Sequence, residues 1–278
     1  MHRKGLRMAG LNFELLKHVK KTNEYCRIHP DQKLLMLANH EPFCPKCVEE
    51  NRRHKNNELV TIGAMRNYKR GFHDVLRKDS IIDDEDLWQA SFDNYEVEAG
   101  SEAEVNLKKA KRIAYRYMDR SYQANTIITG KPGVGKSHLA ISMLKGVNEN
   151  IKPNASCLFI SINEMMRKIK DSFEHRDSYY TESRMVDLLG KVSLLVLDDL
   201  GSEASFKRES REASEYVQQV LFGVLNKRSR TIITTNLSSK ELSEIYNPKL
   251  LSRMYKGVVK NDAIIKFEKT KDKRMAIF

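Results

Sequence analysis

Residues 130–137 read Gly-Lys-Pro-Gly-Val-Gly-Lys-Ser, a complete G-x-x-x-x-G-K-[ST] loop. This pattern constrains the fold more than any other feature, because it works only between a strand and a helix. Both flanks fit. Thr126 to Thr129 form a short β-branched run before it, and His138 to Val147 read as an amphipathic helix after it. Gly130, Gly133 and Gly135 let the backbone bend until its N–H groups face phosphate oxygens. The new helix adds its positive N-terminal end. Lys136 is expected to reach the β- and γ-phosphates, and the Ser137 hydroxyl to hold Mg²⁺. The nucleotide-binding stretch is therefore Gly130, Lys131, Pro132, Gly133, Val134, Gly135, Lys136, Ser137 and His138.

Around that loop the pattern alternates. Strands are expected at 126–129, 157–161, 193–197, 231–235 and 262–267. Helices are expected at 106–118, 138–148, 163–173, 181–189 and 212–228. Alternation of this kind predicts an α/β fold, a parallel sheet flanked by helices. Leu194-Leu-Val-Leu-Asp-Asp-Leu-Gly201 reads as a buried strand with two carboxylates at its C-terminal end, where open parallel sheets bind ligands. Asp198 suits the Mg²⁺ coordination shell, and Asp199 suits the attacking water. Thr231-Ile-Ile-Thr-Thr-Asn236 ends a third strand on an amide. Asn236 either bonds the γ-phosphate or the lytic water, or caps the helix that starts near Ser238 or Ser239. Arg253, in Leu250-Leu-Ser-Arg-Met254, either neutralises a neighbouring subunit's γ-phosphate or lies on a solvated helix face.

The 278 residues suffice for one large α/β domain and a small module. No uncharged apolar run is long enough for a membrane span, and no apolar stretch follows Arg3, Lys4 and Arg7, so a cytoplasmic location is expected. The net charge of +12 is uneven. Residues 1–82 hold 17 basic and 9 acidic side chains, residues 83–105 hold 9 acidic and no basic ones, and residues 106–278 hold 32 basic and 19 acidic ones. Basic blocks favour a nucleic-acid partner. The boundaries follow the charge: an N-terminal domain at 1–82, an acidic linker at 83–105 containing Trp88, Phe92 and Tyr95, and an ATPase domain at 106–278. In the first of these, residues 11–20 suit a short helix, and 48–78 suit a solvated helix broken near Gly63 or Gly71. Cys26, His29, Cys44 and Cys47 spell C-x₂-H-x₁₄-C-x₂-C, two close ligand pairs suited to a tetrahedral Zn²⁺ site. His40 competes with His29 as the fourth ligand. Cys157 lies in an expected core strand.

Together, GKPGVGKS at 130–137, LLVLDDLGSE at 194–203, TIITTNLS at 231–238 and LLSRM at 250–254 resemble the AAA+ ATPases. More narrowly they are similar to the helicase loaders of the DnaC/DnaI type and to the related IstB transposition ATPases. The resemblance covers about residues 90–268. It implies an ATPase with Asn236 as sensor 1 and Arg253 as the arginine finger, and an assembly into homo-oligomers when ATP is bound. It places Arg228 near a subunit interface, and Lys168, Lys170 and Arg176 either as single-stranded DNA contacts or on a solvated helical face. Only 25 residues follow Arg253, too few for the family's full helical lid. By the same resemblance, the zinc module engages a replicative hexameric helicase, which the ATPase helps to place on DNA. An IstB-like ATPase that binds DNA and recruits a transposase is the alternative.

Overall fold

The computed structural model describes residues 19–37, 41–175, 177–202 and 215–273. His40, Arg176, Glu203 and residues 11–18 of the expected first helix lie outside this set. The chain forms two compact units, divided between Tyr68 and Lys69.

In the first unit β1 (Lys20–Tyr25) pairs antiparallel with β2 (Lys33–Met36), matching Lys20 with Met36 and Tyr25 with Lys33. Helix α1 (Pro45–Gly71) follows, with Pro45 at its start, where the missing N–H costs nothing. It runs through Gly63 and stops at Gly71, so of the two expected breaks only the second occurs. None of its residues is buried. Among the described residues of this unit only Cys26 and Cys44 are buried.

In the second unit α2 (His73–Asp79) and a 3₁₀ turn (Glu85–Gln89) lead to α3 (Glu102–Met118), capped by the Ser101 hydroxyl. Then come β3 (Thr126–Gly130), α4 (Lys136–Asn150), β4 (Cys157–Ser161), α5 (Ile162–Asp171), α6 (Glu182–Lys191), β5 (Leu194–Leu200), α7 (Glu215–Asn226) and β6 (Thr231–Thr235). Two short helices, α8 (Ser239–Ile245) and α9 (Pro248–Met254), precede β7 (Ile264–Phe267). The five strands β3 to β7 are parallel, in the order β4-β5-β6-β3-β7. Each expected strand is present, with ends moved by up to three residues. The helix expected to start near Ser238 or Ser239 and the one expected to carry Arg253 are the two short helices between β6 and β7.

Period-two burial explains the three layers. Phe159, Val196 and Ile232 face one side, with α3 and α4, while Ile160, Leu197 and Ile233 face the other, with α5, α6, α7, α8 and α9. Strands covered on both faces read as continuous apolar runs, as these do.

The stretch expected as an acidic linker belongs to the second unit's core. Just before it, at the end of the expected N-terminal domain, Ile81 forms a parallel bridge with Ile160, and its carbonyl accepts from Ser161 N at 2.7 Å. Ala90 and Tyr95 are buried, and Lys145 Nζ donates to the carbonyls of Trp88 and Ala90 at 3.0 and 2.9 Å. The reason is interleaving. Ile81, Trp88, Ala90, Phe92 and Tyr95 pack inward between acids that stay in water, so counting charge alone misplaced the boundary.

Candidate functional site

The loop at 130–137 lies at the C-terminal edge of β3, as its sequence requires. Gly135 caps α4 in the left-handed region, φ 91°, and a Cβ there would stand 2.8 Å from the Tyr95 ring. Gly133 is also left-handed, φ 76°, and a Cβ would collide with the Asp272 carboxylate. Both positions therefore need glycine for conformation and for space.

Three strands deliver polar side chains to this edge. Lys136 is buried, and its Nζ donates to Asn236 Oδ1 at 2.6 Å and to the Lys131 carbonyl at 2.8 Å. Asn236 Nδ2 in turn donates to Asp199 Oδ1 at 2.8 Å. The amide thus joins the loop lysine to the carboxylate pair. It does not cap α8, because Ser238 does so itself in a capping box with Glu241. Asp199 sits in the left-handed region, φ 59°, at an irregularity in the pairing of β5 with β6. This turn sends its carboxylate out towards Asn236 instead of into the sheet.

Asp198 is 8% exposed and takes hydrogen bonds from the hydroxyls of Thr234, at 2.6 Å, and Ser137. Burial pushes its carboxyl up to about 6, against the pull of those two hydroxyls. The Ser137 and Asp198 oxygens are hard donors side by side, the set that suits Mg²⁺. Thr234 escaped the sequence reading. Its hydroxyl also accepts the Asp199 N–H at 2.9 Å, so one side chain sets both carboxylates. The signal was the polar residue interrupting an apolar strand. Strand order makes this possible, since β6 lies between β3 and β5.

Arg253 lies elsewhere in the unit. Its Nε donates to Asn226 Oδ1 at 2.9 Å and its guanidinium stands 5.9 Å from the centre of the Phe222 ring. Its carbonyl accepts from Asn125, the residue before β3, whereas the loop follows β3. Five residues of strand, about 16 Å, separate the two edges. Arg228 corrects an expectation. It is buried at 7% exposure and spends its guanidinium on Thr231 Oγ1 and on the carbonyls of Leu189, Val192 and Arg230. Burial lowers its pKa to about 9. It ties the start of β6 to the end of α6 and the residues before β5. Lys168 pairs with Glu164 at 3.4 Å and lies 4.9 Å over the Tyr180 ring, and Lys170 is exposed nearby. Exposed Phe173 and Tyr179 flank them, with Arg184 5.4 Å over Tyr179. Cys157 is buried in β4, as expected.

A cleft of about 770 Å³ lies beside the loop, lined by residues 96–98, 101–103 and 269–273. Tyr95 OH donates to the Val134 carbonyl at 3.2 Å and fixes the loop's outer side to this wall.

The family described as IstB-like ATP binding protein matches residues 74–268. The chain belongs to this ATP-binding family. The replicative helicase loader DnaC of Escherichia coli (strain K12) is 30% identical over 168 residues, 60% of this chain and 63% of that protein. The loader DnaC of Buchnera aphidicola subsp. Acyrthosiphon pisum (strain APS) is 30% identical over 167 residues, with the same coverage. The chain thus spans less than two thirds of these relatives' length. The crystal structure of DnaI superposes with a TM-score of 0.52 at 21% identity, over 68% of this chain and 96% of that one, a likeness of fold. The α/β fold expected from the motifs, a parallel sheet flanked by helices, is the one found. No helix among the described residues is long and apolar enough to cross a membrane.

The first unit holds a second site. Cys26 ends the β1 side of the hairpin, His29 sits in its turn, and Cys44 and Cys47 bracket the start of α1. His29 Nδ1 lies 3.9, 3.6 and 3.3 Å from the sulfurs of Cys26, Cys44 and Cys47, and the Cys26 and Cys47 sulfurs are 3.6 Å apart. A tetrahedron with Zn–S about 2.3 Å and Zn–N about 2.0 Å has edges of roughly 3.5–3.8 Å. The four ligand atoms lie within 4.8 Å of one another, so this Cys₃His set can hold Zn²⁺. His29 Nε2 is 3.1 Å from Glu50 Oε1, the outer partner a metal-binding imidazole usually has. The His29 backbone N–H brings the Cys26 thiol down to about 6, while burial pushes Cys47 up to about 12. A cation among the sulfurs would favour both thiolates.

Proposed function

We propose that the chain is an ATP-dependent loader of a replicative hexameric helicase onto single-stranded DNA at the start of DNA replication. The observation that carries this reading is the joining, in one chain, of a complete ATPase edge to a Cys₃His unit. That unit's long helix buries nothing of its own and exposes Leu59, Ile62 and Met65 at three-residue spacing. An apolar stripe of this kind suits docking on a protein partner. The DnaC relatives, named as replicative helicase loaders, support the helicase as that partner. Pulldown of a replicative hexameric helicase by the full chain tests it. Retention by the wild type and loss on Leu59→Glu with Ile62→Glu is expected. No retention by the wild type would reject the reading.

In the ATPase, Lys136 holds the β- and γ-phosphates, and Asn236 relays between the γ-phosphate and Asp199. Ser137 and Asp198 would hold Mg²⁺, which supplies charge neutralisation across the phosphoryl oxygens. Asp199 orients the attacking water. Asp199→Asn is expected to bind ATP as the wild type does but to hydrolyse it about 100-fold more slowly, the low end of what a general base contributes. Unchanged turnover in single-cycle kinetics would remove Asp199 from this role.

Single-stranded DNA is read as lying along Lys168 and Lys170, with Phe173 and Tyr179 as stacking surfaces. Exposed aromatics beside cations support this. Affinity is expected to fall with salt, with a log–log slope of about −0.7 per phosphate contact. Phe173→Ala is expected to weaken binding without changing that slope. An unchanged affinity in Phe173→Ala combined with Lys170→Ala would move the DNA elsewhere.

The IstB description of the family favours a second reading, a transposition ATPase that binds DNA and recruits a transposase. Duplex-dependent assembly without helicase binding would select it.

A further inference from the structure

Glu102 lies in the first turn of α3, yet its carboxylate is engaged by the far end of the chain. Oε1 accepts from Glu268 N at 2.9 Å, and Oε2 accepts from Lys269 N at 2.9 Å, Thr270 N at 2.9 Å and Thr270 Oγ1 at 2.7 Å. Three successive backbone N–H groups closing on one carboxylate form an anion nest. Burial opposes ionisation there, but the four hydrogen bonds outweigh it and bring the Glu102 carboxyl down to about 2.

From this nest the chain runs straight to the phosphate-binding loop. The Asp272 carboxylate presses on Gly133, and Lys273 N donates to the Gly133 carbonyl at 3.1 Å. Lys273 Nζ donates to the Glu96 carbonyl and lies 4.2 Å over the Tyr95 ring, whose hydroxyl holds the Val134 carbonyl. The same residues, 269–273, line the cleft beside the loop.

We infer that residues 268–273 form a strap across the nucleotide site, that Glu102 is the positioning residue that fastens it, and that incoming nucleotide displaces it. The loop gathers N–H dipoles and the Lys136 cation, so it attracts anions. Within the strap, the carboxylate that lies against this loop is Asp272, at the position a Cβ on Gly133 would occupy. A polyphosphate competes for the same field and repels Asp272, so strap and nucleotide oppose each other's binding, and this linkage is reciprocal. The inference rests on the ATP-binding reading of the loop.

The test uses the full chain and fluorescently labelled ATP in stopped flow. Glu102→Gln leaves a carbonyl oxygen for one or two of the N–H groups but turns an NH₂ group towards the others. Asp272→Asn keeps shape and removes the charge. Both variants are expected to speed association about fivefold or more, with dissociation little changed, and the double variant is expected to add little, since both act on one strap. Hydrogen exchange at Lys269 and Thr270 is expected to be slow in the free wild type. It is expected to be fast in Glu102→Gln, and fast in the wild type saturated with nucleotide. Equal association rates in wild type and Asp272→Asn would overturn the strap and leave the ATP site standing. So would exchange at Lys269 and Thr270 that slows when nucleotide binds. Absence of nucleotide binding in the wild type and in both variants would overturn the ATP site and the strap together.

Discussion

Cys44→Ser is expected to unfold the N-terminal unit while leaving the ATPase unit folded. The first unit has no apolar core to fall back on. Among its described residues only Cys26 and Cys44 are buried, and α1 buries none of its residues. A two-stranded hairpin alone is marginal in water. Apart from the backbone bridge between Leu35 and Phe43, what brings the hairpin turn and the start of α1 together is the ligand set. Structural zinc contributes roughly 10–16 kcal/mol of apparent folding energy in small modules, more than such a unit can gain by burial. Elemental analysis is expected to fall from about one zinc per chain to none. Far-ultraviolet dichroism is expected to lose the signal of the long helix, and the melting transition of the second unit to stay in place. Chelation of the wild type is expected to do the same. A first unit that stays folded after complete metal removal would reject the site.

The ATPase edge was legible because its chemistry demands residue types that nothing else at those positions would need. A Gly-rich loop ending in Lys136-Ser137, and two carboxylates closing the apolar strand at Leu194–Leu197, each imply a place in a parallel sheet. Once both are in one sheet they share an edge. The Cys₃His cluster was legible for the same reason, and the structure brings His29 into the set. The role of Thr234 was hidden because a strand threonine is ordinary, and only the adjacency of β5 and β6 gives it two carboxylates to serve. The strap was hidden because its contacts join residues 166 to 168 positions apart, and no local pattern records such a meeting. The 83–105 segment misled for a different reason. Its charge is a property of its outward face, and its packing is decided by a few apolar residues between the acids.

Arg253→Ala is expected to lose at least about 100-fold in ATPase while keeping ATP affinity, on our proposal that its guanidinium completes a neighbouring subunit's site. Supplied in trans, such an arginine is worth about 10³–10⁵ in turnover. The geometry supports the trans role. Within its own chain Arg253 sits with Asn226 and Phe222, beside the residue that precedes β3, one strand length from its own loop. An arginine at that edge serves a phosphate only if a second subunit brings one to it. Lys136→Ala fails differently, since its loop no longer holds phosphate while its Arg253 is intact. Neither variant alone is expected to keep more than about a hundredth of wild-type turnover. Mixed in equal amounts and assembled at random in a head-to-tail ring, about a quarter of the interfaces pair an intact loop with an intact finger. The mixture is therefore expected to recover about a quarter of wild-type turnover, and the recovery is expected to rise with protein concentration as assembly does. An arginine that acted within its own chain would leave every subunit in the mixture defective. A mixture that stays inactive while sizing shows mixed assemblies of wild-type mass would therefore return Arg253 to the role it has inside one chain, a clasp between α9 and α7.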